Sequence, residues 1–148
     1  VVIGGAPLTG KIDRIRLSKS KGEISRAEVS DFKTGKAHDW KPNNDFAKIK
    51  MHKYKQQLIF YKLLIENSRQ WSGTAKVDHA QLIFLEPEED KIFKLDYDIT
   101  DNDVSYMKSL IRAIWSKMST LDLPDISGYK STYSGIKQFE QDLIDGKV

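Results

Sequence analysis

Cysteine is absent from the 148 residues. This excludes a disulfide framework, a thiolate zinc site and a cysteine-ligated iron–sulfur cluster within them. The lack fits a reducing cytoplasm, and a chain of this length buries a core without covalent staples. Long apolar runs are also missing: no segment has the length a bilayer span requires, so no membrane partner is expected. The apolar start Val1–Leu8 lacks the basic n-region of a secretory signal. Opening on Val1-Val2-Ile3 rather than on methionine, the chain is expected to be one domain (1–148) of a longer polypeptide. It shows neither repeats nor low-complexity segments. Ile3-Gly4-Gly5 and Leu8-Thr9-Gly10 do not make a Walker A loop. No Ser–His–Asp or Cys–His arrangement can be assembled.

What is present is charge, unevenly spread. Residues 1–74 carry 15 Lys and Arg against 7 Asp and Glu, whereas residues 75–148 carry 9 against 14. A basic half beside an acidic half permits one face to meet a polyanion, although a solvated charged surface has the same composition.

Residues 11–18 alternate polar and apolar with the period of a strand, the polar turn Ser18–Gly22 follows, and Glu23–Lys33 reads as the second strand of a hairpin. Beyond a polar loop with Pro42-Asn43-Asn44 the pattern becomes helical from Asp45 to Asn67. Phe46, Ile49, Tyr54, Leu58, Tyr61, Leu64 and Ile65 form its apolar positions, and Asn44 or Asp45 caps it. Trp71-Ser72-Gly73 breaks the chain. Lys76–Leu85 and Lys91–Tyr97 then read as strands joined by the acidic turn Glu86–Asp90. Thr100 or Asp101 caps a helix to Thr120, with Val104, Met107, Leu110, Ile111, Ile114 and Met118 inward. Residues 125–148 read as a peripheral tail with a short helical piece near 135–143. The order strand, strand, helix, strand, strand, helix predicts a mixed α/β domain.

The candidate chemistry starts at Asp31-Phe32-Lys33, where residues two apart on a strand share a face. An Asp at a strand end can ligate a hard cation, and a neighbouring Lys can orient water or offset developing phosphate charge. Such a triplet is common by chance; Asp145-Gly146-Lys147 is a second, discarded for want of a strand. Asp13 lies on the preceding strand, where an antiparallel hairpin can bring it beside Asp31. Two adjacent carboxylates call for a cation or a proton between them, unless each simply pairs with Arg14 or Lys33 at the surface. On the long helix, Gln57 and Tyr61 stand one turn apart on one face and can hold a phosphate, a lysine or a base edge. Otherwise Tyr61 is a core aromatic and Gln57 is exposed. His38, His52 and His79 lack metal-ligand spacing and read as structural or surface residues. His52, on the same helix as Gln57, is the one with most reason to touch phosphate. Lys36, Lys41, Lys48, Lys50, Lys53 and Lys55 flank the candidate site, and Trp40 either stacks on an unpaired base or packs on the core.

Taken together, Gly10-Lys11-Ile12-Asp13-Arg14-Ile15, then Val29-Ser30-Asp31-Phe32-Lys33-Thr34-Gly35, then Gln57-Leu58-Ile59-Phe60-Tyr61 resembles the nuclease domain of RecB- and AddAB-type helicase–nucleases, within the PD-(D/E)XK superfamily. The resemblance covers residues 8–66 and implies a restriction-endonuclease-like core, a mixed central sheet flanked by helices. It implies Asp13, Asp31 and the Phe32 carbonyl as ligands of Mg²⁺ or Mn²⁺, Lys33 positioning water and stabilising the phosphate, and Gln57 and Tyr61 completing the site. It further implies a cytoplasmic DNA nuclease, of exonuclease or endonuclease type, attached to superfamily 1 helicase domains and used in DNA repair and recombination. The family usually carries one more metal-ligating His or Glu on a helix before the first motif, and this sequence has no counterpart for it. A catalytically silent domain retained as a DNA-binding or protein-interaction scaffold is therefore the alternative.

Overall fold

A computed structural model of the chain describes residues 1–37, 39–71, 75–88 and 91–148. His38, Ser72–Gly73 of the expected break, and the end of the acidic turn at Glu89 and Asp90 lie outside the described residues.

The short strands β1 (Val2–Ile3) and β2 (Ala6–Pro7) pair antiparallel. The main sheet has four strands in the order β3 (Arg14–Ser20), β4 (Glu23–Lys33), β5 (Lys76–Glu88) and β6 (Lys91–Asp98). β3 and β4 form the expected hairpin, its turn made by Lys21 (φ 52°) and Gly22 (φ 87°). Positive φ at both positions gives the turn a twist that matches the flanking strands. β4 and β5 run parallel, and β5 and β6 antiparallel. Two parallel neighbours need a long crossover, which the helix α1 (Asp45–Glu66) supplies. The first strand starts later than its alternation predicts: Arg14 is its first residue, and Asp13 sits in the bend before it.

Alternation decides which face of the sheet is buried. Ala27, Val29 and Asp31 of β4 and Ala80, Leu82 and Phe84 of β5 point one way, under α1. α1 is capped by Asn44, whose Oδ1 accepts from Ala47 N at 2.7 Å. Its C-terminal half, Tyr61–Ile65, is buried all round, whereas the first half buries only Ala47 and Met51. Phe46, expected inward, is 79% exposed, because the inward register at that end belongs to Ala47 and Met51. At the far end Lys62 donates to Glu66 Oε1 at 2.7 Å and to the Val77 carbonyl, while Val77 N donates to the same Glu66 oxygen, tying α1 to β5.

The helix α2 (Asp101–Thr120) begins at a capping box: Asp103 N donates to Thr100 Oγ1, and Thr100 N to Asp103 Oδ2. It buries Met107, Leu110 and Ile111. Ile114 and Met118, expected inward, are exposed: they line an open groove of about 420 Å³ between α2 and the helix that follows, which faces them without filling the space. The helix α3 (Tyr133–Ile144) is longer than the sequence suggests and packs on α1 and α2. Where it starts, a Cβ on Gly135 would collide with the Lys130 carbonyl oxygen.

α3 is held largely through one buried carboxylate. Glu140, 8% exposed, accepts from His52 Nε2 (2.8 Å) and Gln56 Nε2 (2.8 Å) of α1 and from Tyr106 OH (2.7 Å) of α2. His52 is thus committed to helix packing and is no phosphate contact. Burial alone would raise the Glu140 pKa; the hydrogen bonds from His52 and Tyr106, the His52 charge and the Gln56 amide outweigh it and hold the group down at about 2.

Because the folded-state pKa lies below the unfolded one, this carboxylate stabilises the protein above pH 4.5 and ceases to do so as pH falls toward 2. Glu140→Gln should cost about 2–3 kcal/mol near neutral pH in urea unfolding, with a smaller difference from the parent in acid. Gly135→Ala should cost about 2 kcal/mol by the same measurement, since the obstacle is backbone rather than a flexible side chain.

Candidate active site

β4 delivers Asp31 and Lys33 to the same face, and α1 crosses above that face with Gln57 and Tyr61 pointing down. Asp31 is 2% exposed. Its Oδ1 accepts from Gln57 Nε2 at 2.9 Å and from Tyr61 OH at 2.8 Å, and these two donors lie 2.6 Å apart. Lys33 Nζ donates to Gln57 Oε1 at 2.7 Å and stands 2.5 Å from Asp31 Oδ2. That last contact is an ion pair lacking the angle of a hydrogen bond, so Oδ2 is a buried oxygen without a hydrogen-bond donor. The ammonium also lies 4.0 Å above the centre of the Tyr54 ring, a cation–π distance.

Asp13 approaches from the other strand of the hairpin. Its Oδ2 accepts from Phe32 N at 3.0 Å, and Arg14 is paired with Ser30, so the next step of the register sets Asp13 opposite Asp31. The structure therefore joins Asp31, Lys33, Gln57 and Tyr61 in one hydrogen-bonded group and fixes Asp13 to the backbone between Asp31 and Lys33. Phe32 contributes backbone here; its ring is 40% exposed on the opposite face of β4.

The field of this group shows in its phenols. Burial, followed by the hydrogen bond to Asp31, pushes the Tyr61 pKa well above the usual tyrosine value, so Tyr61 remains a neutral donor. Tyr54 moves the same way, through burial and then the Asp31 charge. Hard oxygen donors suit a hard divalent cation, and the buried Asp31 Oδ2, ion-paired to Lys33 without hydrogen-bond geometry, beside an exposed Asp13 carboxylate is a donor set of that kind. It is a small one: no group of three or more His, Cys, Asp or Glu converges as a metal centre among the described residues.

Other candidates lie elsewhere. His79 faces Asp98 (3.0 Å) and Asp96 (3.4 Å) on the sheet. Its pKa is raised, first by the Asp98 hydrogen bond, against the opposing effect of burial. Trp40 donates from Nε1 to the Asp96 carbonyl at 2.7 Å and packs 5.1 Å from the Tyr97 ring, so its stacking surface is used internally. Lys55 covers Tyr97 at 4.6 Å. Lys41 and Lys48 line a cleft of about 190 Å³ with Trp40, His52 and Tyr133. Tyr54, expected only as an apolar position of the helix, also belongs to the site through its ring under Lys33; its spacing of three from Gln57 and seven from Tyr61 was the available signal.

The comparison with known families agrees with this geometry, since residues 2–135 match the model of the PD-(D/E)XK nuclease superfamily. The chain belongs to that superfamily. No curated protein and no solved structure matches it. The PD-(D/E)XK match spans the β3–β4 hairpin, α1 and the remaining strands, and reaches the first turn of α3. The mixed sheet flanked by helices is the expected restriction-endonuclease-like core. No helix among the described residues is long and apolar enough to cross a membrane.

If the ring beneath Lys33 holds its ammonium in place, the Lys33 ε-methylene protons should resonate upfield of an ordinary lysine by NMR. The displacement should persist in Tyr54→Phe and disappear in Tyr54→Leu, with about 1 kcal/mol of stability lost only in the latter.

Proposed function

We propose that this PD-(D/E)XK domain is a metal-dependent DNA nuclease that hydrolyses phosphodiester bonds at Asp31 and Lys33. The observation that carries the reading is the Asp31 carboxylate: buried, fixed through one oxygen by Gln57 and Tyr61, with the other oxygen turned to the Lys33 ammonium in an ion pair that lacks hydrogen-bond geometry. A structural ion pair gains nothing from such asymmetry, whereas a ligand carboxylate does. Asp13, Asp31 and the Phe32 carbonyl would hold Mg²⁺ or Mn²⁺, which when bound withdraws charge from a phosphate and acidifies water.

The chain's own groups have separable parts in this reading. Gln57 and Tyr61 occupy Asp31 Oδ1 and so decide which oxygen faces the reacting centre. Lys33, held by Gln57 Oε1 and the Tyr54 ring, keeps a fixed positive charge where negative charge develops on phosphate. The partners are DNA and the helicase domains of the same RecB- or AddAB-like polypeptide, and the setting is cytoplasmic DNA repair and recombination. One observation favours a second reading, a silent domain kept as a DNA-binding or protein-interaction scaffold: among the described residues the acidic set at the site is limited to Asp13 and Asp31.

Labelled single- and double-stranded DNA incubated with the chain in Mg²⁺, Mn²⁺ or EDTA distinguishes the two. The nuclease reading expects cleavage in either metal, none in EDTA, and a loss of about a hundredfold or more in Asp31→Ala and in Lys33→Ala. DNA binding without cleavage in every metal, unchanged by Asp31→Ala, would favour the scaffold.

A further inference from the structure

α1 carries more than Gln57 on its site-facing side. At 100° per residue, Lys53, Lys50 and Phe46 precede Gln57 by four, seven and eleven positions and fall within a narrow stripe in line with it. The stripe leaves the site past the end of β4: Lys50 Nζ lies beside Gly35, just beyond Lys33, and 5.8 Å from the Tyr54 ring. Phe46 closes it. Its ring is 79% exposed on the first turn of a helix whose inward positions are filled by Ala47 and Met51, so it takes no part in the core. Neither Lys50 nor Lys53 pairs with a carboxylate among the described residues, and the neighbouring Asp45 is turned to Tyr133 N.

A lone exposed phenyl needs no explanation. A phenyl aligned with two lysines that have no carboxylate partner among the described residues, and with a phosphate-directed centre, has the composition of a single-strand track, in which aromatic rings stack bases while cations follow the backbone. We propose that Phe46, with Lys50 and Lys53, forms a base-stacking subsite for an unpaired strand whose cleaved phosphate sits at Asp31 and Lys33. Eleven residues of helix at about 1.5 Å each separate Phe46 from Gln57 by about 16 Å. That corresponds to about five nucleotides of a stacked strand at about 3.4 Å each, and fewer of an extended one. The subsite deepens the nuclease reading and rests on it, because the centre supplies the register from which the bases are counted. A paired base cannot present its face to the ring, so the subsite selects ends, gaps or unwound strands over intact duplex.

The test uses fluorescein-labelled oligothymidine, the same strand with abasic positions, and bis(p-nitrophenyl) phosphate, a phosphodiester with no base. By anisotropy in EDTA, Phe46→Ala should bind oligothymidine about tenfold more weakly, Phe46→Trp at least as tightly as the parent. On the abasic strand parent and Phe46→Ala should be equal. Lys50→Gln and Lys53→Gln should each lower the salt dependence of binding by about one counterion. With Mg²⁺, hydrolysis of the base-free ester should be unchanged in Phe46→Ala. Equal affinity of parent and Phe46→Ala for oligothymidine would overturn the subsite, while turnover of the base-free ester would leave the nuclease reading standing. Weaker binding of Phe46→Ala to oligothymidine but not to the abasic strand, with no turnover of the ester by any form, would keep the subsite and remove the nuclease.

Discussion

Burial of the Asp31 carboxylate between β4 and α1 sets the terms for the residues around it. An ionised carboxylate out of water costs several kcal/mol unless donors and a counter-charge replace its hydration. The replacements here come from two elements only: Gln57 and Tyr61 from the helix, Lys33 from the same strand. The helix must therefore cross the strand at one height, since sliding it by a residue would carry Gln57 about 100° around the axis and strand the charge. Apolar residues that share one core, Leu58 and Ile65 of the helix with Val77 and Leu82 of the sheet among them, make the layers adhere, but such packing tolerates small slips. The polar group fixes the crossing height.

Besides the Lys62–Glu66 link to β5 at its end, α1 serves two polar clusters on different sides. Gln57, Tyr61 and Tyr54 face the sheet and Asp31, while His52 and Gln56 face away to Glu140 of α3. The two share no side chain and are separated by the thickness of the helix. Among the described residues the Glu140 cluster anchors a helix that makes no hydrogen bond or ion pair with the five candidate site residues, so it concerns the stability of the helical layer, whereas the Asp31 cluster concerns the centre itself.

Much of this could be read from the residues in order. The switch from period two to period three or four at Asp45 announced a helix that the Asn44 cap confirms, and the i, i+2 and i, i+4 spacings put Asp31 with Lys33 and Gln57 with Tyr61 on shared faces. Other features were not legible, for distinct reasons. Asp13 was expected on a strand because Ile12 and Ile15 alternate with charge, but where pairing starts depends on the partner strand. Phe46, Ile114 and Met118 were read inward because periodicity marks an apolar stripe without saying how far the neighbouring layer extends beneath it. The Glu140 cluster joins α3 to α1 residues 84 and 88 positions earlier and to Tyr106, 34 positions earlier, and its members, His52 above all, look ordinary until α3 is folded back. Nothing in a local pattern encodes that return.

The side chains gathered around Asp31 all fall between positions 13 and 61, within a hairpin and the helix that follows it. Short sequence separation keeps the entropy of closing the intervening loops low. The constellation can thus be drawn together by neighbours along the chain before the parallel β4–β5 pairing, the one long-range closure of the sheet, is complete. On that order of events the later half of the domain, from β5 onward, would close as a mould around a centre the first half has already patterned.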